Sequence, residues 1–99
     1  MPKQVIWSPL AVVDFENILD YLNGNWNEQV ALKFINEIEI LISNIAKQHK
    51  LFPLVNKKLK VRRCVITKHN TLFYSDSKAS INILRIFDTR QNPNKLNFK

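Results

Sequence analysis

Cysteine, glycine and long apolar runs are scarce in this 99-residue sequence. The single cysteine, Cys64, excludes an internal disulfide framework and favours a reducing compartment. No apolar run reaches the ~18–20 residues of a membrane span, and no charged-then-apolar signal segment opens the chain. We therefore expect a cytoplasmic protein with no membrane partner. Cys64, His49 and His69 lack a recognisable ligand spacing, so we assign no metal and no other cofactor.

Carboxylates are absent between Glu39 and Asp76, and this gap divides the chain electrostatically. Residues 1–39 carry six acids and two lysines, a balance of −4, whereas residues 40–99 carry thirteen bases and two acids, a balance of +11. A field of one sign attracts polyanions such as nucleic acid or an acidic protein. The lysine excess is equally consistent with a solvated surface. The four arginines all lie in the basic half, where a planar guanidinium suits phosphate or carboxylate recognition.

The first elements are read from local signals near the N-terminus. Gln4 to Trp7 is a short apolar run that predicts a strand. Ser8 can then cap a helix that has Pro9 at its first position. Apolar residues at helical spacing predict that this helix continues until Gly24, the only glycine in the chain, closes it. The side chain of Asp14 lies in the early turns, where the helix dipole favours a negative charge.

The rest of the chain changes from a helical to a strand period. Apolar residues from Ala31 to Ile45 hold the 3–4 period for about four turns, and Pro53 prevents continuation of that second helix. With few residues between them, the two helices should form an antiparallel hairpin. Three runs rich in Val, Ile, Phe and Tyr then predict a meander of hairpin-connected strands, at 60–67, 71–76 and 80–88.

The predicted fold is α+β, in one domain spanning residues 1–99. Its order is β-α-α-β-β-β, with an antiparallel sheet covered on one face by the helical hairpin. Because a helix pair covers only one side, the arginines that avoid the core should collect on the open side of the sheet or at its edge, bordered by Tyr74 and His69. Alternatively, the arginines only pair with Asp76, Asp88 and the helix carboxylates.

An ordered set of residues over nearly the whole chain carries a family resemblance. The set is Ile6-Trp7-Ser8-Pro9 with Ala11, Asp14 and Ile18-Leu19-Asp20-Tyr21-Leu22, then Lys33-Phe34, Val61-Arg62-Arg63, Leu72-Phe73-Tyr74 and Ile83-Leu84-Arg85-Ile86-Phe87-Asp88-Thr89-Arg90-Gln91-Asn92-Pro93. It resembles the RelE/ParE superfamily of toxins from type II toxin-antitoxin modules. The resemblance implies growth inhibition, plasmid stabilisation and a cognate antitoxin that folds as it wraps the toxin. Trp26 and Phe52 are candidate contacts for that antitoxin.

The resemblance leaves two activities open. RelE-like members are ribosome-dependent messenger ribonucleases, whereas ParE-like members inhibit DNA gyrase and are not nucleases. RelE-like enzymes cleave RNA with basic residues on the central strands and a tyrosine or histidine near the C-terminus. Arg62 and Arg90 match two of the basic positions, but Cys64, Thr71 and Leu96 stand where two further cationic residues and the terminal tyrosine would be.

This departure favours a ParE-like toxin that acts by binding. Its predicted target-binding or phosphate-binding residues are Arg62, Arg63, Arg85 and Arg90, and its target would be a protein such as DNA gyrase. The alternative is a ribosome-dependent ribonuclease acting on mRNA, with His69 or Tyr74 as proton carrier. A family member without toxicity is the third possibility.

Overall fold

The computed structural model describes residues 3–88 as two helices packed on a five-stranded sheet. The strands are β1 (Gln4–Trp7), β2 (Leu54–Asn56), β3 (Val61–Thr67), β4 (Asn70–Asp76) and β5 (Ser80–Asp88), and the helices are α1 (Pro9–Asn25) and α2 (Glu28–Lys47). The strand order across the sheet is β1-β5-β4-β3-β2. The predicted α+β class is confirmed. Neither of the two helices is long and apolar enough to cross a membrane.

Ser8 begins α1 and also attaches it to the sheet. Its Oγ accepts a hydrogen bond from the backbone N–H of Ala11 at 3.0 Å, as the predicted cap requires. The same Oγ donates to the carbonyl of Leu84 at 2.8 Å, and the Ser8 N–H donates to the carbonyl of Ile83 at 2.9 Å. One short side chain therefore fixes the start of α1 against β5.

The first helix does not end at Gly24, so that prediction is wrong. It continues to Asn25, and the N–H of Trp26 donates to the carbonyl of Leu22 at 3.0 Å. No glycine in the described part of the chain has a positive φ. The turn is instead set by the next helix, because Asn27 is extended (φ −162°) and its Oδ1 accepts from the N–H of Val30 at 3.0 Å.

The strand meander is confirmed, but the sheet is not wholly antiparallel. β3, β4 and β5 pair antiparallel, whereas β1 pairs parallel to β5, from Gln4 opposite Ser80 to Trp7 opposite Ile83. Parallel strands need a long crossover connection, and here the helical hairpin and three strands supply it. Local sequence patterns carry no signal for such a distant pairing.

A short strand between the hairpin and the meander was not predicted. β2 holds three residues and pairs antiparallel with β3, with Leu54 opposite Arg62. It forms the edge of the sheet and exposes Leu54 and Val55. Three residues beside a proline and a lysine-rich turn are too few to show a period of two.

The hydrophobic core lies between the helical hairpin and one face of the sheet. Its fully buried side chains include Ile18 from α1, Ile38 and Ile45 from α2, and Leu72, Tyr74, Ile81 and Ile83 from the strands. The Phe15 ring stacks on the Phe34 ring at 6.2 Å and joins the two helices. Each large aliphatic side chain buried in this way stabilises the fold by about 1.5–3 kcal/mol.

Candidate functional site

The arginines predicted to share one surface are placed apart by the sheet. Arg62 and Arg63 are neighbours on β3, so their side chains point to opposite faces. Arg62 is 13% exposed, and its Nε lies 3.2 Å from Oδ1 of Asp76. Its Nη1 donates to the carbonyl of Phe52 at 2.7 Å. Arg63 is exposed, and Arg90 lies outside the described residues.

Arg85 forms a salt bridge with Asp14 of α1. Its Nε and Nη2 donate to the two carboxylate oxygens of Asp14 at 2.7 and 2.9 Å, and these hydrogen bonds raise the pKa of the guanidinium. Oδ2 of Asp14 also accepts the backbone N–H of Ile86 at 3.0 Å. The prediction of a shared arginine surface is therefore wrong for Arg62 and Arg85, which form carboxylate pairs instead. Their role in target binding stays a prediction.

The two candidate proton carriers are also separated. Tyr74 is fully buried in the core, its hydroxyl donates to the carbonyl of His49 at 3.0 Å, and burial raises its pKa. His69 lies in the turn between β3 and β4, at the end of β3 opposite to Arg62. The structure places Tyr74 directly opposite Arg62 across β3 and β4, but it places His69 at the other end of these strands.

Cys64 belongs to the core rather than to a site. It is 1% exposed on β3, and burial raises the pKa of its thiol to about 11. A neutral buried thiol is a poor nucleophile and a poor metal ligand. Across residues 3–88, no three His, Cys, Asp or Glu side chains cluster as a metal site would need.

Six cationic side chains meet at an open groove that sequence reasoning did not predict. The groove has a volume of about 530 Å³, and its cations are Lys3, Lys50, Lys57, Lys60, Arg62 and Lys78. Asp76 is the one carboxylate among its lining residues in the described part of the chain. We call this feature the cationic groove. Such a concentration of positive charge attracts phosphate or carboxylate groups.

Turns at one end of the sheet position these lysines. Lys57 and Lys60 belong to the turn between β2 and β3, and Lys78 to the turn between β4 and β5. Lys3 directly precedes β1, and its Nζ donates to the carbonyl of Ser77. Lys60 has a φ of 56°, a left-handed conformation that L-residues other than asparagine and aspartate rarely adopt. The lysine-rich turn was visible in the sequence, but the approach of Lys3 and Lys78 depends on the parallel pairing of β1 with β5.

An imidazole lies close to Asp76, the carboxylate that lines the groove. Nε2 of His49 lies 3.8 Å from Oδ2 of Asp76, whose other oxygen pairs with Arg62. The His49 side chain is 33% exposed and the Asp76 side chain 14% exposed. This arrangement places an imidazole beside a carboxylate that is already paired with a guanidinium. The sequence did not predict this contact, because His49 and Asp76 are 27 positions apart in the chain.

The sequence of this chain matches a known protein family. A profile of the family described as the ParE toxin of type II toxin-antitoxin system, parDE, matches residues 5–93. The chain therefore belongs to the ParE toxin family, and the predicted RelE/ParE superfamily is confirmed. No curated protein sequence is significantly similar to the chain.

Solved structures of such toxins share the fold. A chain of the chromosomal ParDE toxin-antitoxin system from P. aeruginosa has a TM-score of 0.72 at 18% identity, covering 87% of this chain and 95% of that chain. The YoeB dimer from Staphylococcus aureus has a TM-score of 0.64 at 17% identity, covering 88% and 97%. The E. coli DinJ-YafQ toxin-antitoxin complex has a TM-score of 0.63 at 10% identity, covering 91% and 96%. At these identities, the similarity establishes the fold alone.

Proposed function

We propose that this type II toxin acts by binding, in the ParE manner, and inhibits DNA gyrase until a cognate antitoxin neutralises it. The cationic groove carries the proposal. It gathers five lysines and one arginine around one aspartate, and such a surface docks on an acidic protein face through steering and charge complementarity. Arg63, exposed on the other face of β3, and Arg90 are further target-binding residues in this proposal.

The contacts of the other polar groups also support binding over RNA cleavage. Metal-independent cleavage needs a proton acceptor, an acid and cations arranged around one phosphate. Tyr74 is buried and bonded to a backbone carbonyl, and Arg85 is paired with Asp14. Two positions at which RelE-like enzymes are expected to carry cations hold the buried Cys64 and the uncharged Thr71.

A supercoiling assay tests the proposal directly. Purified toxin should inhibit negative supercoiling of relaxed plasmid by gyrase, and Lys57→Glu should weaken inhibition at least tenfold because it reverses a charge in the groove. Lys68→Glu makes the same change at the opposite end of β3 and is the matched control, expected to inhibit within threefold of the unmodified toxin. Unchanged supercoiling at toxin excess, or equal effects of the two variants, would refute groove-mediated gyrase inhibition.

Ribosome-dependent cleavage of mRNA is the second candidate, favoured by one observation. His49 lies 3.8 Å from Asp76, which lines the groove, so an imidazole is close to the cations that would hold a phosphate. In this mechanism His49→Ala abolishes cleavage of translated messages, whereas Lys68→Glu leaves it intact. Mapping 5′ ends of messages after induction decides: absence of toxin-dependent cleavage sites excludes this candidate and leaves gyrase inhibition to be judged by supercoiling.

A further inference from the structure

A second cavity lies between the turn of the helical hairpin and the turn that joins β3 to β4. We call it the hairpin pocket, and its volume is about 410 Å³. Its apolar wall comes from Leu22 of α1, Trp26 between the helices, and Val30 and Phe34 of α2. Trp26 is 64% exposed. A large aromatic ring beside a concave apolar wall is typical of a surface that a partner covers.

Asn70 lines the same pocket and has an unused donor. It is 4% exposed, and its Oδ1 accepts a hydrogen bond from Oγ1 of Thr67 at 2.7 Å. Oγ1 of Thr67 in turn accepts the backbone N–H of His69 at 3.2 Å. The hydroxyl proton of Thr67 is therefore used in the hydrogen bond to Oδ1 of Asn70. Nδ2 is then left without a hydrogen-bond partner among residues 3–88.

A buried donor without an acceptor favours a ligand that supplies one. The free protein bears the desolvation cost of Nδ2 and gains nothing in return, whereas a complex that brings an oxygen to this atom recovers the lost interaction. The pocket therefore selects for an apolar group with an acceptor oxygen close to it. A peptide meets both needs, because an aliphatic or aromatic side chain and a backbone carbonyl are adjacent in every such residue.

We propose that the hairpin pocket anchors the antitoxin. An apolar antitoxin side chain packs between Trp26 and Phe34, and a neighbouring backbone carbonyl accepts a hydrogen bond from Nδ2 of Asn70. An acidic partner chain suits a toxin of net charge +7, whereas a second copy of the toxin would bring charge of the same sign. The inference rests on membership in a toxin-antitoxin family and holds whether the target is gyrase or mRNA.

The anchor and the cationic groove lie at opposite ends of β3 and β4. Asn70 begins β4 at the pocket, and Asp76 ends it at the groove. Seven residues of strand separate the two ends by about 20 Å. An antitoxin held in the pocket must therefore extend by about six further residues to cover the groove lysines. In this arrangement, contacts in the hairpin pocket hold the antitoxin on the toxin, and the extended segment covers the cationic groove and blocks binding of the target.

Tryptophan fluorescence tests whether the antitoxin covers Trp26, and it needs no substitution in the hairpin pocket. The chain has two tryptophans, so Trp7→Phe leaves Trp26 as the sole reporter, and Phe preserves the ring contact of position 7 with Phe15. The probe is the purified product of the gene adjacent to the toxin gene. Its addition should shift Trp26 emission to the blue and lower acrylamide quenching at least threefold. No binding by this product, or binding that leaves Trp26 equally quenched, overturns the proposal.

Affinities of matched variants complete the test. Trp26→Ala should raise the Kd for the same antitoxin at least tenfold, whereas Ile40→Ala, an equally exposed apolar residue on α2, should change it less than threefold. Asn70→Asp, which replaces the donor by an acceptor, should also raise the Kd at least tenfold, with thermal melting as the check on folding. If Ile40→Ala weakens binding and Trp26→Ala does not, the antitoxin docks elsewhere on α2 and the pocket is not its anchor.

Discussion

Asp14 is the carboxylate that joins α1 to β5, in addition to the hydrogen bonds of Ser8, and removing it is a sharp test of the fold. Asp14 accepts hydrogen bonds from Nε and Nη2 of Arg85 and from the N–H of Ile86. The pairing of β1 with β5 ends where Trp7 lies opposite Ile83. Beyond Ile83, α1 instead of β1 covers the edge of β5. Asp14→Ala would remove the carboxylate that accepts two hydrogen bonds from Arg85 and one from the strand N–H of Ile86.

The expected cost follows from burial. The side chains of Arg85 and Asp14 are 16% and 11% exposed. Removing one partner of a fully buried ion pair costs about 3–5 kcal/mol, and residual exposure lowers that cost, so we expect a loss of about 3 kcal/mol. In a domain of this size each kcal/mol shifts Tm by roughly 4–8 °C, which predicts a decrease of roughly 12–24 °C. Asp14→Asn keeps an acceptor for the Ile86 N–H and should lose less.

Thermal and guanidinium unfolding followed by circular dichroism measure this loss. Glu16→Ala is the matched control, because it removes an exposed carboxylate from the same helix and should change stability by less than about 0.5 kcal/mol. A double-mutant cycle of Asp14→Ala with Arg85→Ala should give a coupling energy above about 1 kcal/mol. Equal stabilities of the Asp14→Ala and Glu16→Ala proteins would refute the reasoning.

Three further predictions concern single residues. Burial raises the pKa of the Cys64 thiol from its ordinary 9.0 to about 11. The contribution of the neutral thiol to stability is therefore present below pH 9 and lost as the pH rises through 11. Cys64→Ala should reduce this decline of the free energy of unfolding with pH. Tyr74→Phe leaves the His49 carbonyl without its donor and should cost about 1–2 kcal/mol without changing toxicity in a growth assay. Lys60→Gly should not lower stability, because glycine adopts a φ of 56° without strain. The variant should elute from heparin at lower salt than the unmodified toxin, because it has lost one positive charge. The first prediction is contradicted if the stability of Cys64→Ala falls as steeply with pH as that of the unmodified protein. A loss of toxicity in Tyr74→Phe contradicts the second, and an unchanged elution of Lys60→Gly from heparin contradicts the third.

The elements of this fold were predictable wherever their signals are local. Ser8 caps α1 because its Oγ reaches an N–H three residues away, and a repeat of 3.6 or 2 is visible within a single helix or strand. The predicted helix end at Gly24 was wrong because glycine is common at helix ends but does not by itself fix one. The cap at Asn27 could be recognised only from the extended backbone conformation of Asn27. The three residues of β2 were too few to show any period.

The sequence by itself determined the class of protein: the element order, the amphipathic helices, the basic second half and the ordered residues shared with a toxin family. Only the tertiary structure decided which charges meet. It paired Arg85 with Asp14 and Arg62 with Asp76, and it placed Lys3 beside the turn that holds Lys78. The physical reason is range. Capping and periodicity act within a few residues, whereas charges far apart in sequence become neighbours only when strands pair, and burial then decides which of them stay free to bind a partner.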